Sequence, residues 1–171
     1  LKNIGKIRTE GFDLTASYGF DTGIGRLNLA INTSVFTEFK QSETPTASLF
    51  KILGTVRNPA DWRMRNSISW NHLGFSATAF VNYIDNFVDN ESTPERKVNS
   101  WTTIDLRVAY DIGERSESPW LRDLVFSVNV QNLLDDDPPF FNNNTFTALG
   151  FDPQNASPLN RFVAVQLTKR F

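Results

Sequence analysis

Alternation of apolar and polar side chains, sustained longer than an ordinary globular strand needs, narrows most what this chain can fold into. In the closing stretch, Asn160–Phe171, residues Val163, Val165 and Leu167 alternate with Ala164, Gln166 and Thr168, and the chain stops on an aromatic ring. A period of two places one set on each face of a β-strand. Terminal residues of a soluble domain usually fray. A chain that ends inside an amphipathic strand is expected to have that strand paired, and closure of a sheet into a barrel does this by removing the free edge.

The same period recurs along the whole chain. The spacing predicts strands at about Arg8–Phe20, Arg26–Phe39, Trp62–His72, Phe75–Val88, Ser100–Ile112 and Asp123–Leu134. In the first, Phe12, Leu14, Ala16, Tyr18 and Phe20 oppose Gly11, Asp13, Thr15, Ser17 and Gly19. In the fourth, Phe80 is out of phase with the polar set of Ser76, Thr78 and Asn82. With the closing stretch this makes about seven strands and no helix, an all-β antiparallel up-and-down meander. Most run to roughly 11–14 residues, against ~5–6 in globular proteins, and a tilted membrane-crossing strand needs only roughly 9–11.

The connections add a second regularity. Short turns at 21–25 and 73–74 and a medium one at 113–122 alternate with long segments at 40–61, 89–99 and 135–159. Outer-membrane barrels have short periplasmic turns and long external loops. With the terminus at the periplasmic face, every long segment falls outside. Within 40–61, Leu49–Leu53 reads as a short strand or fold-back. The Gly23-x-Gly25 pair lacks the third glycine and the following helix of a phosphate loop, so it reads as a turn.

Composition fits two solvents. Aromatics reach 13%, with Phe counted 15 times, yet the mean hydropathy is -0.32. The net charge of -2 gives no basic footprint for nucleic acid. The absence of Cys excludes disulfides, thiolate metal sites and a Cys nucleophile. No apolar run approaches the ~18 residues of a membrane helix. The start at Leu1-Lys2-Asn3-Ile4, without an initiator Met or a signal core, predicts a segment of a longer precursor.

The run Val128-Asn129-Val130-Gln131-Asn132-Leu133-Leu134-Asp135-Asp136-Asp137-Pro138-Pro139 resembles the penultimate strand of TonB-dependent outer-membrane receptors. Residues 150–161, Gly-Phe-Asp-Pro-Gln-Asn-Ala-Ser-Pro-Leu-Asn-Arg, and the terminal strand ending at Phe171 are similar to the same family. Lys169 departs from it, standing third from the end where an aromatic is usual. The resemblance implies a barrel of about 22 strands around an N-terminal plug, driven by TonB and the proton-motive force. Residues 1–171 would then be the C-terminal part of that transmembrane β-barrel, with signal peptide, TonB box and plug elsewhere. It further implies outer-membrane lipid, the TonB complex (through the plug) and the barrel-assembly machinery as partners, Phe171 being the assembly signal. The cargo would be a small nutrient: siderophore-iron, cobalamin or a glycan.

Individual residues offer little chemistry. No catalytic, cofactor-binding or metal-binding residue is expected. Asp135-Asp136-Asp137 lacks the spacing of an EF-hand and reads as a solvated strand end. His72 is the single histidine, which supports neither a His-based metal cluster nor a triad. Arg63, Arg65, Asp105 and Arg107 fall on polar strand faces. In a transporter they line the lumen, where they contact a plug or an anionic substrate or serve hydration and ion pairing. The Phe140–Asn144 run suits either ligand capture or loop packing. Trp62, Trp70, Trp101, Tyr83 and Tyr110 are expected to form interfacial girdles.

Two rival readings are a small independent outer-membrane barrel, acting as pore or adhesin, and a soluble β-barrel or jelly-roll protein. An odd strand count disfavours the first unless residues 49–53 hide an eighth strand, since single-chain bacterial barrels have even counts. The second needs a dry apolar core and a polar exterior. Size-exclusion chromatography separates membrane from soluble readings: in detergent-free buffer this chain should aggregate, and a clean monomeric peak would count against a membrane barrel.

Overall fold

The computed structural model describes residues 5–113, 116, 118, 120–142 and 149–170. Ten strands follow in order: β1 Ile7–Thr22, β2 Gly25–Gln41, β3 Phe50–Lys51, β4 Trp62–His72, β5 Phe75–Ile84, β6 Phe87–Asp89, β7 Arg96–Val98, β8 Trp101–Asp111, β9 Leu124–Gln131 and β10 Phe162–Lys169. The main sheet runs β1-β2-β4-β5-β8-β9-β10, with β3 paired to β2. All its pairings are antiparallel, and each long strand pairs with the next long strand along the chain. The long strands thus form the expected meander, and no α-helix occurs among the described residues. The sheet is open, with β1 and β10 at its edges.

Register joins the individual alternations into two continuous faces. Pairs such as Phe20 with Leu27, Leu27 with Trp70, Trp70 with Ala77, Ala77 with Val108, and Val108 with Val128 carry one apolar row across six strands. Asp21 with Arg26, Arg26 with Asn71, and Asn71 with Ser76 run along the other face. A one-residue slip anywhere would mix the two.

The burial of these faces is inverted relative to a water-soluble protein. The buried residues of the long strands are Thr103, Ala109 and Ser127, all on the polar face. Phe12, Leu14, Tyr18, Ile68, Val165 and Leu167, on the apolar face, are exposed. An apolar face left open, with the few buried residues of the long strands on the polar face, suits a lipid exterior and a polar interior. A dry-cored soluble barrel needs the opposite.

The apolar band has definable edges. Near the short turns, Trp70 and His72 rings lie 6.0 Å apart and Phe75 and Tyr110 rings 4.3 Å apart. At the other end Trp62 meets Tyr83 at 4.8 Å, and its indole N–H donates to the Thr33 hydroxyl at 2.6 Å. From Trp62 to Trp70 the strand advances about 27 Å at ~3.4 Å per residue, or about 21 Å when tilted by ~40°, close to the ~25 Å apolar band of such barrels. Beyond Phe12 the same side of β1 carries Glu10 and Arg8. There Arg8 pairs with Glu38 at 2.9 Å and Lys40 with Glu38 at 2.7 Å, so the apolar surface ends in charge. Trp101 does not join this girdle. It shares a face with Thr103 and Asp105 because β8 pairs it with Ile84, so it stands on the polar side.

Two predicted strands end early, for local reasons. Asp85 accepts from its neighbour's backbone N–H and side-chain amide, both at 2.8 Å, and turns the chain out of β5 at Ile84. Asn132 adopts φ 49° and exchanges side-chain hydrogen bonds with the Asp136 backbone at 2.9 and 3.0 Å, so β9 stops at Gln131. The Leu73-Gly74 hairpin takes positive φ at both residues, 47° and 83°, as a two-residue turn of that hand requires.

The inverted faces make a paired expectation. Leu29→Arg, mid-band on the apolar face, should destabilise the protein in lipid vesicles by about 2–4 kcal/mol. Asn28→Arg, one residue away on the polar face, should cost well under half of that. Urea unfolding of the two variants in vesicles measures the difference, and equal costs would contradict the facing of β2.

Candidate functional site

Two structural groups have the make-up of a site: a charged patch on the polar wall and a cluster of the long connections above it. The wall patch arises because β4, β5 and β8 are adjacent and in register. Arg65 lies opposite Asn82, and Asn82 opposite Thr103. Arg65 reaches across β5 to Asp105 at 2.9 Å, donates to the Asn82 side-chain oxygen, and lies over the Phe80 ring at 4.2 Å. Phe80, out of phase in the alternation, is the platform for this guanidinium.

Both carboxylate oxygens of Asp105 are engaged by the wall. One carboxylate oxygen takes Arg65 and the Asn82 amide, the latter at 3.0 Å; the other accepts the Asn132 backbone N–H at 3.1 Å. The Asn82 amide also donates to Thr103 at 3.1 Å. Arg65 remains about half exposed, so its ion pair contributes ~1 kcal/mol or less, and the fixed geometry matters more than the energy.

Arg107 lies on the same face, between Thr78 of β5 and Asn129 of β9. It has no ion pair or hydrogen bond among the described residues. Arg65, Phe80, Asp105, Arg107, Asn129 and Gln131 all border an open recess of about 240 Å³. Arg63 is separate. It sits at the loop end of β4 and donates to the side-chain oxygen of Asn155, near the Asp152 carboxylate. The four charged residues expected on polar faces are therefore all there, but only Arg65 and Asp105 touch.

The second group was not foreseen from spacing. The connections β2–β4, β5–β8 and β9–β10 fold onto one another. Val56, Phe87, Val98 and Phe141 form a small apolar nucleus. The long segment at 89–99 carries the turn and the second strand of the β6–β7 hairpin. Val88 of that hairpin donates to Gly54 at 2.8 Å and accepts from Val56 at 3.0 Å. Gly54 has φ 66°, and a Cβ there would stand 2.5 Å from an Asp61 carboxylate oxygen, so this bend requires glycine.

Asp152, 1% exposed, pins the third connection. It accepts from the Arg57 backbone N–H at 2.8 Å, the Gln154 N–H at 3.0 Å and the Asn155 amide at 2.7 Å. Asn155 also donates to the Asn58 carbonyl at 3.0 Å. Arg57 and Glu91 join the first two connections through a two-pronged ion pair at 2.7 and 3.1 Å. The Asp-Pro-Gln-Asn order at 152–155 was the available sign of a side-chain-closed turn, though nothing in it reveals the partner loop.

Asp135, Asp136 and Asp137 are exposed at the end of β9, where Asp135 accepts the Arg161 backbone N–H at 2.6 Å and so ties β9 to the entry of β10. In the Phe140–Asn144 run, Phe141 is buried in the loop nucleus and Phe140 is exposed, while Asn143 and Asn144 lie outside the described residues. Phe171 also lies outside them. Lys169, the departure from the expected terminal pattern, donates to the Trp120 carbonyl.

A family profile described as TonB dependent receptor-like, beta-barrel, matches residues 1–133. No curated protein matches the chain.

The loop cluster should depend on one carboxylate. Asp152→Ala leaves buried donors from two connections unpartnered, at about 1–3 kcal/mol, so cleavage within 42–61 by an added protease should rise on the order of tenfold. Limited proteolysis of the membrane-embedded protein reads this directly. Unchanged cleavage would mean that the apolar nucleus alone holds the loops.

Proposed function

The chain belongs to the TonB-dependent receptor β-barrel family, and we propose that it forms part of the wall of a barrel that takes up a scarce nutrient across the outer membrane. The family is one of outer-membrane transport receptors, not of enzymes. The finer reading adds the energy source and cargo: TonB-coupled uptake of siderophore-iron, cobalamin or a glycan. The observation that carries the transport reading is the pair of faces of the sheet: large apolar side chains stand exposed on one, and the buried residues of the long strands lie on the other, polar one.

In this reading the apolar face meets lipid and the polar face meets the transport path. Arg63, Arg65, Asp105 and Arg107 line the lumen. The clustered connections form part of the external mouth, where ligand arrives. Residues 1–171 supply seven strands at the C-terminal end of the barrel, and other segments of the protein supply the remaining wall, the plug and the TonB contact. Phe171 serves the barrel-assembly machinery as the terminal signal. The open edges of β1 and β10 support the need for further strands, because unpaired backbone groups in hydrocarbon cost several kcal/mol each.

The chemistry asked of the protein is binding and movement. The wall holds its cations and amides at fixed positions by cross-strand hydrogen bonds, so a solute meets a preformed surface. Uptake against a gradient then needs energy from outside the barrel, which is the part assigned to TonB.

The test is accumulation in cells that carry the full receptor. Labelled ferric siderophore, cobalamin and oligosaccharide are offered in turn to cells with the receptor, without it, and with the receptor but lacking TonB. One class should accumulate only when both receptor and TonB are present, and a protonophore should abolish that accumulation. Receptor-dependent entry that persists without TonB would replace this reading with a passive pore.

A further inference from the structure

The Arg107 recess differs from the rest of the polar wall in its charge balance. Arg26 faces Asp21 at 3.6 Å, Arg65 is paired with Asp105, and Arg63 lies beside Asp152. Arg107 has no such partner among the described residues. Asp105 is two residues away on the same face, but both its oxygens are held by Arg65, Asn82 and the Asn132 backbone. Thr78, opposite Arg107, donates its hydroxyl to Ser69 at 3.0 Å. The other cross-strand neighbour, Asn129, is neutral. One full positive charge therefore faces the recess.

The groups around it are also open. The Asn129 and Gln131 side chains make no hydrogen bond among the described residues, and both border the same 240 Å³ recess. They lie on one face of β9, two residues apart, so their spacing along the wall is about 7 Å. Across the recess Arg65 is immobilised over Phe80 and gives it a rigid side. A guanidinium offers a planar fork of donors that matches a carboxylate bidentately, and two adjacent amides can hold a second polar group of the same molecule.

We propose that Arg107, Asn129 and Gln131 form a binding site for a carboxylate-bearing small solute on the polar wall. Arg107 takes the carboxylate in its fork, and Asn129 and Gln131 hydrogen-bond a further oxygen of the solute. The Arg65–Asp105–Asn82 network does not touch the solute's charge. It keeps Asp105 from neutralising Arg107, and so positions the site. This assignment rests on the polar face being the solute-facing wall, and it narrows the cargo to anionic molecules.

The experiment is calorimetric titration of the full receptor in detergent with metal-free tricarballylate as the probe. Saturable binding is expected, and Arg107→Gln should weaken it about tenfold or more, as loss of a charged hydrogen-bonding partner does. Arg107→Lys should retain only part of the affinity because the point charge lacks the fork. Arg26→Gln, elsewhere on the wall, should bind like the parent. Absence of saturable binding, or equal affinity in Arg107→Gln and the parent, overturns the site. A loss of thermal stability in Arg107→Gln without a change in binding also overturns it, and assigns the guanidinium to a carboxylate of the protein itself. Migration of unheated samples on gels confirms that each variant is a folded barrel. Tricarballylate binding in a receptor that accumulates no nutrient would sustain the site while removing the transport reading; accumulation without tricarballylate binding would do the reverse.

Discussion

The backbone ladder between long antiparallel strands is what everything else in this protein depends on. In hydrocarbon no water is present to satisfy a peptide group, so only a structure that pairs its N–H and C=O groups can expose an apolar face there. From β1 to β10 each long strand is paired to its chain neighbour over most of its length. Once the ladder exists, side chains on its two faces are free to suit two solvents. The buried Thr103 and Ser127 and the exposed Leu14 and Val165 are the result.

Where the ladder is interrupted, side chains take over. Between β2 and β4 the pairing passes from Ala30–Ser67 to Thr33–Met64 without the two positions between. There the Asn32 backbone N–H is met at 3.3 Å by the side-chain oxygen of Asn66, a polar residue on the otherwise apolar face. At the end of β9 the Asn132 side chain closes a turn on Asp136 while its backbone N–H holds Asp105. One residue thus ends a strand and fixes a wall carboxylate, which links local turn chemistry to the electrostatics of the polar face.

The loop cluster and the wall are joined through Arg63. Its guanidinium, on a wall strand, donates to Asn155, whose amide is shared between Asp152 and the Asn58 carbonyl. The three connections and the top of β4 are therefore one hydrogen-bonded assembly. Loops built this way are ordered by polar contacts as much as by the four-residue apolar nucleus.

Much of the fold was legible in the sequence, because a period of two fixes strand faces whatever the neighbours are. The seven long strands, the side of the sheet that carries the long connections, and the shared face of Arg63, Arg65, Asp105 and Arg107 all followed from alternation. What alternation cannot contain is which strand end breaks, what a loop touches and which charges meet. The break at Asp85, the grip of Asp152 on Arg57 and the placement of Trp101 on the polar side each depend on contacts or register that only three dimensions supply. Arg65 and Arg107 are alike in sequence pattern. The tertiary structure alone made one a paired cation and left the other without a partner among the described residues, because Asp105 is reached across β5 from β4 and both its oxygens are then engaged.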